Sequence, residues 1–310
     1  KIVAKETFIM TYLLLAILTA LSLVINQAAI SLILGIFFSV IKEKYSLTST
    51  KINGTNFLKA GIILLGATIS LDSVSEISVN YLPLVSFYVL MIFLVGFLLG
   101  RVLKISKKHL ILLVAGTAIC GATAIASLAP VIKSKTEELV SSISLVFLLN
   151  LLAIIFFPLI GQYFGMSEKE FGIFSALTIH DTASVLGAAS IYGDDSVMYA
   201  SVIKLGRTLW IIPVILCFSL YFKNKEAKYD FPYFIIFFLM CVLLGTFIDL
   251  NQDIQIIIKK ISNTLFLLGL FFIGSQFKLN TLRKLSIQPI IFAVTLWLII
   301  IITTILVFYV

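Results

Sequence analysis

Gly116-Thr-Ala-Ile-Cys-Gly-Ala-Thr-Ala-Ile-Ala126 lies in the middle of an apolar run over 109–130. An ordinary membrane span would place Leu and Ile there. Here the centre is Gly, Ala and Thr instead. Gly116 and Gly121 permit a break in the helix. A break frees backbone amides at a depth where lipid cannot satisfy them, so they are available to a ligand. The bland alternative is a close-packing surface for a neighbouring helix. A second stretch has the same texture: Thr178-Ile-His-Asp-Thr-Ala-Ser-Val-Leu-Gly187, inside a run over 171–192.

Such stretches make sense only in a membrane protein, and the composition agrees. Of 310 residues, 60% are hydrophobic and 12% are charged. An ordinary soluble domain has about 25% charged residues. Mean hydropathy is +1.13. These values exclude a soluble enzyme, a nucleic-acid-binding protein and a secreted disulfide scaffold. They indicate an all-α polytopic membrane protein, read as one integral membrane domain over 1–310. Cys120, Cys217 and Cys241 all fall in apolar runs, with neither a disulfide framework nor metal-ligand spacing. No cofactor or metal is expected. No HExxH, GxSxG or P-loop signature is present. The first apolar run, from Phe8 to Ile25, reads as a span and not as a cleaved signal.

Eleven spans are expected, at about 8–25, 28–41, 57–71, 81–103, 109–130, 138–160, 171–192, 196–222, 232–249, 254–277 and 289–309. With the N-terminus inside and eleven crossings, the inner segments hold sixteen Lys and Arg residues and the outer loops four. The outer four are Lys133, Lys135, Lys259 and Lys260, and Lys169 counts as inner. Lys59, Lys204 and Arg207 lie within spans. The asymmetry predicts eleven crossings with the N-terminus in and the C-terminus out.

Two internal echoes stand out. Lys51–Val74 aligns with Lys259–Leu282 at an offset of 208, matching Gly66 to Gly274 and Asp72 to Asn280. The flanking spans align through Gly35 and Gly245, and through Pro83 and Pro289. Spans two to four thus echo spans nine to eleven in opposite direction, the build of an inverted-repeat transporter. The echo between the fifth and seventh spans does not fit the same scheme, and no single topology accounts for both.

Polar residues in lipid are costly, so their depth is informative. Thr117, Cys120, Gly121, Ala122 and Thr123 sit near the middle of the fifth span, and Asn150 of the sixth. His180, Asp181, Thr182 and Ser184 sit mid-way along the seventh. Lys204 and Arg207 lie three apart on one face of the eighth. All twelve are candidate substrate-binding residues. His180 and Asp181 are also the candidate proton-coupling pair. The competing reading makes each a packing or neutralising group. Lys204→Ala or Arg207→Ala is expected to abolish anion binding in a protein that still folds, at some cost in stability.

The stretches just quoted, with His180-Asp-Thr-Ala-Ser-Val-Leu-Gly-Ala-Ala189, Lys204-Leu-Gly-Arg-Thr-Leu-Trp-Ile-Ile-Pro213 and Lys59-Ala-Gly-Ile-Ile-Leu-Leu-Gly-Ala-Thr-Ile-Ser-Leu71, resemble the YeiH family of bacterial membrane proteins, commonly labelled sulfate exporters. The motifs keep the family's order over most of the chain. The family is similar to the cation/proton antiporters and bile-acid-type symporters. That likeness implies inverted repeats, a mobile core with broken, crossing helices and a panel domain. The chain departs from the family pattern at Ala122-Thr123, where a small residue then Ser is expected, and at Ser184, where Gln is expected.

The residues together read as a secondary transporter for a small anion, sulfate-like or organic. The alternatives are a cation/proton antiporter using Asp181 and a passive anion channel. The expected partners are the anionic solute, the lipid bilayer, a coupling proton or sodium ion and a second copy in a homodimer, with no nucleic acid.

Overall fold

A computed structural model describes residues 2–45, 52–222, 233–248, 250–276 and 286–309, with side chains from residue 9 to 308 except at 29. Lys1, Lys51, Lys223, Lys225, Lys228, Lys278, Asn280, Leu282, Arg283 and Lys284, which enter the charge and repeat arguments, lie outside these residues. The described residues are helical with short connections, and five long helices are apolar enough to cross a membrane. The chain divides into two compact units. One comprises Lys1–Leu71 with Tyr233–Arg283, the other Asp72–Pro232 with Lys284–Val310.

The first unit holds α1 (Ile2–Ile25), α2 (Ala28–Lys44), α3 (Gly54–Gly66), α12 (Phe234–Ile248) and α13 (Gln252–Ser275). Its core gathers Leu15, Leu18, Phe38, Phe271 and Phe272. Glycines let the helix backbones touch, as packing in lipid requires. A side chain at Gly35 would collide with the carbonyl of Phe271, and one at Gly245 with the carbonyl of Ala67. The pairing of α3 with α13 is reciprocal. A Cβ on Gly54 would lie 2.5 Å from the Gly269 oxygen, and Ser262 Oγ donates to the Gly61 oxygen at 2.8 Å. Adding 208 to positions 54 and 61 gives 262 and 269, so each contact maps onto the other.

The second unit holds α4 (Leu71–Val102), α5 (Lys107–Ala118), α6 (Ala122–Val131), α7 (Thr136–Tyr163), α8 (Glu168–Thr178), α9 (Thr182–Tyr192), α10 (Asp194–Leu209), α11 (Ile211–Phe222) and α14 (Ile287–Tyr309). Both broken spans are present, and the breaks fall at 119–121 and 179–181. Their halves do not cross; they fold back. Lys108 Nζ at the start of α5 donates to the Lys133 carbonyl just beyond α6, at 2.6 Å. Nearer the tip, a Cβ on Gly116 would meet Ile125 at 2.7 Å. The second hairpin closes in the same way. Phe171 of α8 stacks on Tyr192 of α9 with centroids 4.0 Å apart, and Asp195 N donates to Glu168 Oε2 at 2.9 Å.

The sequence leaves open whether 109–130 and 171–192 cross fully or re-enter, and these contacts fold each stretch back on itself. At 12 and 10 residues, α5 and α6 are too short to cross alone, since a crossing takes about 20. Both hairpin bases are held by neighbouring long helices. Ser106 Oγ donates to Glu138 Oε1 of α7 at 2.6 Å. At the other base, a Cβ on Gly161 of α7 would lie 2.6 Å from Phe171. So α7 starts at the base of the first hairpin and ends at the base of the second.

Candidate functional site

The site is where the two hairpin tips meet. Gly121 has φ +63°, and a Cβ there would lie 2.9 Å from the Asp181 Cβ. The left-handed conformation and the close approach both demand glycine. It turns the chain from α5 into α6 and brings the tips together.

A helix ends with four carbonyls that have no partner of its own, and in a dry interior each must find one. At the end of α5, Ala115 O accepts from Ile119 N at 3.0 Å and Gly116 O from Gly121 N at 2.9 Å. Arg207 takes the other two: Nε donates to Ala118 O at 2.6 Å and Nη2 to Thr117 O. At the end of α8, Ser175 O accepts from Ile179 N at 3.0 Å. Arg207 Nη1 donates to Ala176 O at 3.0 Å and Leu177 O at 2.6 Å. Trp297 Nε1 of α14 donates to Thr178 O at 3.0 Å, and Lys204 Nζ to Ile179 O at 2.6 Å. Every terminal carbonyl of both half-helices is therefore paired.

Lys204 and Arg207, fully buried on α10, thus lie at the C-terminal ends of α5 and α8. Those ends are the negative poles of the helix dipoles and favour a cation. The planar fork of Arg207 clamps both half-helices at once, which a point-charge ammonium could not do. Thr208 Oγ1 bonds back to the Lys204 carbonyl at 2.9 Å.

The starting ends of α6 and α9 differ. Asp181 caps α9: Oδ1 accepts from Ser184 N at 2.9 Å and Oδ2 from Ser184 Oγ at 2.6 Å. Asn150 of α7 holds the same turn. Its Nδ2 donates to Asp181 Oδ2, and its Oδ1 accepts from His180 N at 3.1 Å. His180 Nδ1 also faces Asn150 Oδ1 at 3.1 Å. His180 Nε2 is buried with no hydrogen-bond partner among the described residues. Its ring centroid is 6.1 Å from that of Trp297, which itself stacks on Phe157 at 5.4 Å. The N-cap of α6 is Gly121, which has no side chain; in the first turn, Ala122, Thr123 and Ala124, the Ala124 amide donates to the Cys120 sulfur, and no carboxylate caps this end among the described residues. Ala122, Thr123 and Asp181 keep partial exposure, whereas Thr117, Cys120, Gly121, Thr182 and Ser184 are buried.

The residues singled out in the sequence therefore lie around one junction, but not in the arrangement expected. The side chains of Lys204 and Arg207 are directed at backbone carbonyls. Asp181 is engaged as a helix cap by Ser184 and Asn150. Trp297 went unnoticed in the sequence. The signal was there: its indole N–H sits mid-way along an apolar run and needs an acceptor.

The pattern of the family described as "Conserved hypothetical protein 698" matches residues 6–293. A UPF0324 membrane protein of Bacteroides thetaiotaomicron is 34% identical over 278 residues, covering 89% of this chain and 84% of the relative. One from Shewanella oneidensis is 36% identical over 241 residues, covering 78% and 76%. One from Clostridium tetani is 30% identical over 306 residues, covering 91% and 89%. No solved structure matches the chain. With similarity of this extent, the chain belongs to the UPF0324 family of membrane proteins, the YeiH-like family whose motifs its broken spans carry.

Proposed function

We propose that the protein is a secondary active transporter for a small anion, working by alternating access at the meeting point of the two hairpins. The observation that carries this reading is the start of α6, which, among the described residues, no charged side chain caps. Ala122 and Thr123 of its first turn keep partial exposure, while α10 places Lys204 and Arg207 behind the tips. A helix start favours negative charge. At α9 the protein supplies that charge itself with Asp181; at α6 it supplies none. The substrate anion takes the place there that Asp181 takes at α9. Asp181 is committed to its cap, which disfavours the cation/proton antiport alternative.

The topology that supports this function has nine crossings and two re-entrant hairpins, one from each side. Lys133 and Lys135 then move inside and Lys169 outside, so the inner and outer counts become seventeen and three. The bias strengthens and the C-terminus remains outside.

The same arrangement reconciles the two sequence echoes. The series α2, α3, α4, first hairpin, α7 corresponds to α12, α13, α14, second hairpin, α10/α11. In the chain, the second hairpin and α10/α11 precede α12. The repeats are thus inverted and circularly permuted. The reciprocal α3–α13 contacts support the scheme. So does the packing of α4 against the first arm of one hairpin, Gly100 on Leu110, and of α14 against the first arm of the other, Trp297 on Thr178.

The test is uptake into proteoliposomes holding the purified full chain, with sulfate and small mono- and dicarboxylates offered under imposed proton or sodium gradients. Accumulation of an anion above equilibrium is the expected result. Uptake that only dissipates the anion's own gradient would replace this reading with a channel. Accumulation of cations alone would replace it with antiport.

A further inference from the structure

A second polar feature of the helical unit lies away from the hairpin tips. Where α4 ends, α5 begins and α11 ends, there is a cavity of about 590 Å³. Its lining divides into two parts. Arg101, Lys104 and Lys107 are cationic and exposed, and no acidic residue lines the cavity among the described residues. Phe97, Leu110, Ile111 and Phe218 form an apolar wall. Tyr221 bridges the two: Lys107 Nζ donates to its hydroxyl and lies 4.4 Å from its ring centroid. Lys104 adopts a left-handed backbone, φ 53°, in the turn between α4 and α5. The start of α5 adds its own positive pole, because Ser106 gives its hydroxyl to Glu138 and does not cap the helix.

Among the described residues no carboxylate pairs with these three cations, and together with the apolar wall they suit an anionic ligand with a hydrophobic part. A free inorganic anion would use the rim and leave the aromatic wall idle. The outer surface nearby is lipid-like: Leu94, Leu98, Leu216 and Leu220 are all exposed. A head group at the rim would therefore lead its acyl chains onto an apolar surface. This end of the unit also carries Lys108, Lys133 and Lys135, the side that meets an anionic leaflet.

We infer that this cavity is a binding site for the phosphate head group of an anionic phospholipid, held by Arg101, Lys104 and Lys107, with its acyl chains against Phe97 and Phe218. The inference is independent of the transport reading and of the site at the hairpin tips.

Native mass spectrometry of the purified full chain tests it, with phosphatidylglycerol and phosphatidylcholine of matched chains offered at equal concentration. The wild-type protein should retain phosphatidylglycerol in preference. Each of Arg101→Gln, Lys104→Gln and Lys107→Gln should lower that retention about five-fold, the worth of one basic residue at such a surface. Retention of phosphatidylcholine should not change. All three side chains are exposed, and melting in phosphatidylcholine micelles identifies any variant that fails to fold. The single variants are read separately, so the loss of one leaves the others decisive. Undiminished phosphatidylglycerol selectivity in the folded variants would overturn the proposal. Inorganic phosphate that displaces the lipid at equal concentration would also overturn it, assigning the site to a free anion.

Discussion

Replacing Arg207 with Met puts the tip architecture to its severest test. Methionine is similar in length, fits a buried position and donates no hydrogen bond. The change would orphan four buried carbonyls at once: Thr117, Ala118, Ala176 and Leu177. An unsatisfied buried acceptor costs about 1–3 kcal/mol, so four cost roughly 4–12 kcal/mol. Removing the guanidinium also relieves its own burial cost of several kcal/mol. The expected net loss is therefore in the lower part of that range, about 4–6 kcal/mol. A typical domain has only about 5–15 kcal/mol in total. The melting temperature in detergent should fall by on the order of 10 °C. Hydrogen exchange should quicken at the amides of 116–125 and 176–185, and elsewhere in the unit much less. Arg207→Lys keeps the charge but not the fork, and should fall between the two. The sequence alone leads to the expectation that Arg207→Ala abolishes anion binding in a folded protein at some cost in stability; the four orphaned carbonyls make that cost large. An Arg207→Met protein that melts within a few degrees of wild type, with unchanged protection at both tips, would refute the clamp.

Other consequences follow from the same junction. Gly121→Ala imposes a left-handed alanine, at about 1–2 kcal/mol, and sets a methyl 2.9 Å from Asp181 Cβ. It should lower the melting temperature and abolish uptake; full uptake would show that the tips are not tightly apposed. Trp297→Phe keeps an aromatic ring beside Phe157 but removes the donor to Thr178 O. The expected destabilisation is about 1–3 kcal/mol, read by thermal melting, and no change would mean that the carbonyl finds another partner. In a background lacking the native cysteines, Lys133→Cys should react with an impermeant reagent only from the side on which Lys104→Cys reacts, and Lys169→Cys only from the opposite side. Labelling of 133 and 104 from opposite sides would restore a full crossing at 109–130. His180→Gln should transport with a flattened pH profile if the histidine couples proton and substrate; an unchanged profile in a folded variant leaves it a structural residue.

The apolar runs and the two places where they break were legible in the sequence because each depends on local composition; the boundary between the third and fourth spans was not, since the fourth helix starts at Leu71 and not near 81. Long stretches of Leu, Ile and Phe have few alternatives to helices in lipid. Gly121 and the Gly-Ala-Thr texture around it announce a break without any tertiary information. The equal depth of Asn150, His180, Asp181, Lys204 and Arg207 could also be counted off, which is why the junction's members were found. Only tertiary structure decided which way the chain goes after each break. A half-helix of 10–12 residues can continue onward or fold back with the same local energetics. The choice is made by contacts distant in sequence, such as Phe171 with Tyr192 and Lys108 with Lys133. The loop charges could not settle it, because two re-entrant hairpins exchange only Lys133, Lys135 and Lys169 between sides and restore the parity. The roles of the charges were hidden for a related reason. A buried arginine in a sequence looks like a ligand-binding group, because the four carbonyls it satisfies belong to the backbone, which every residue shares and no residue type reveals.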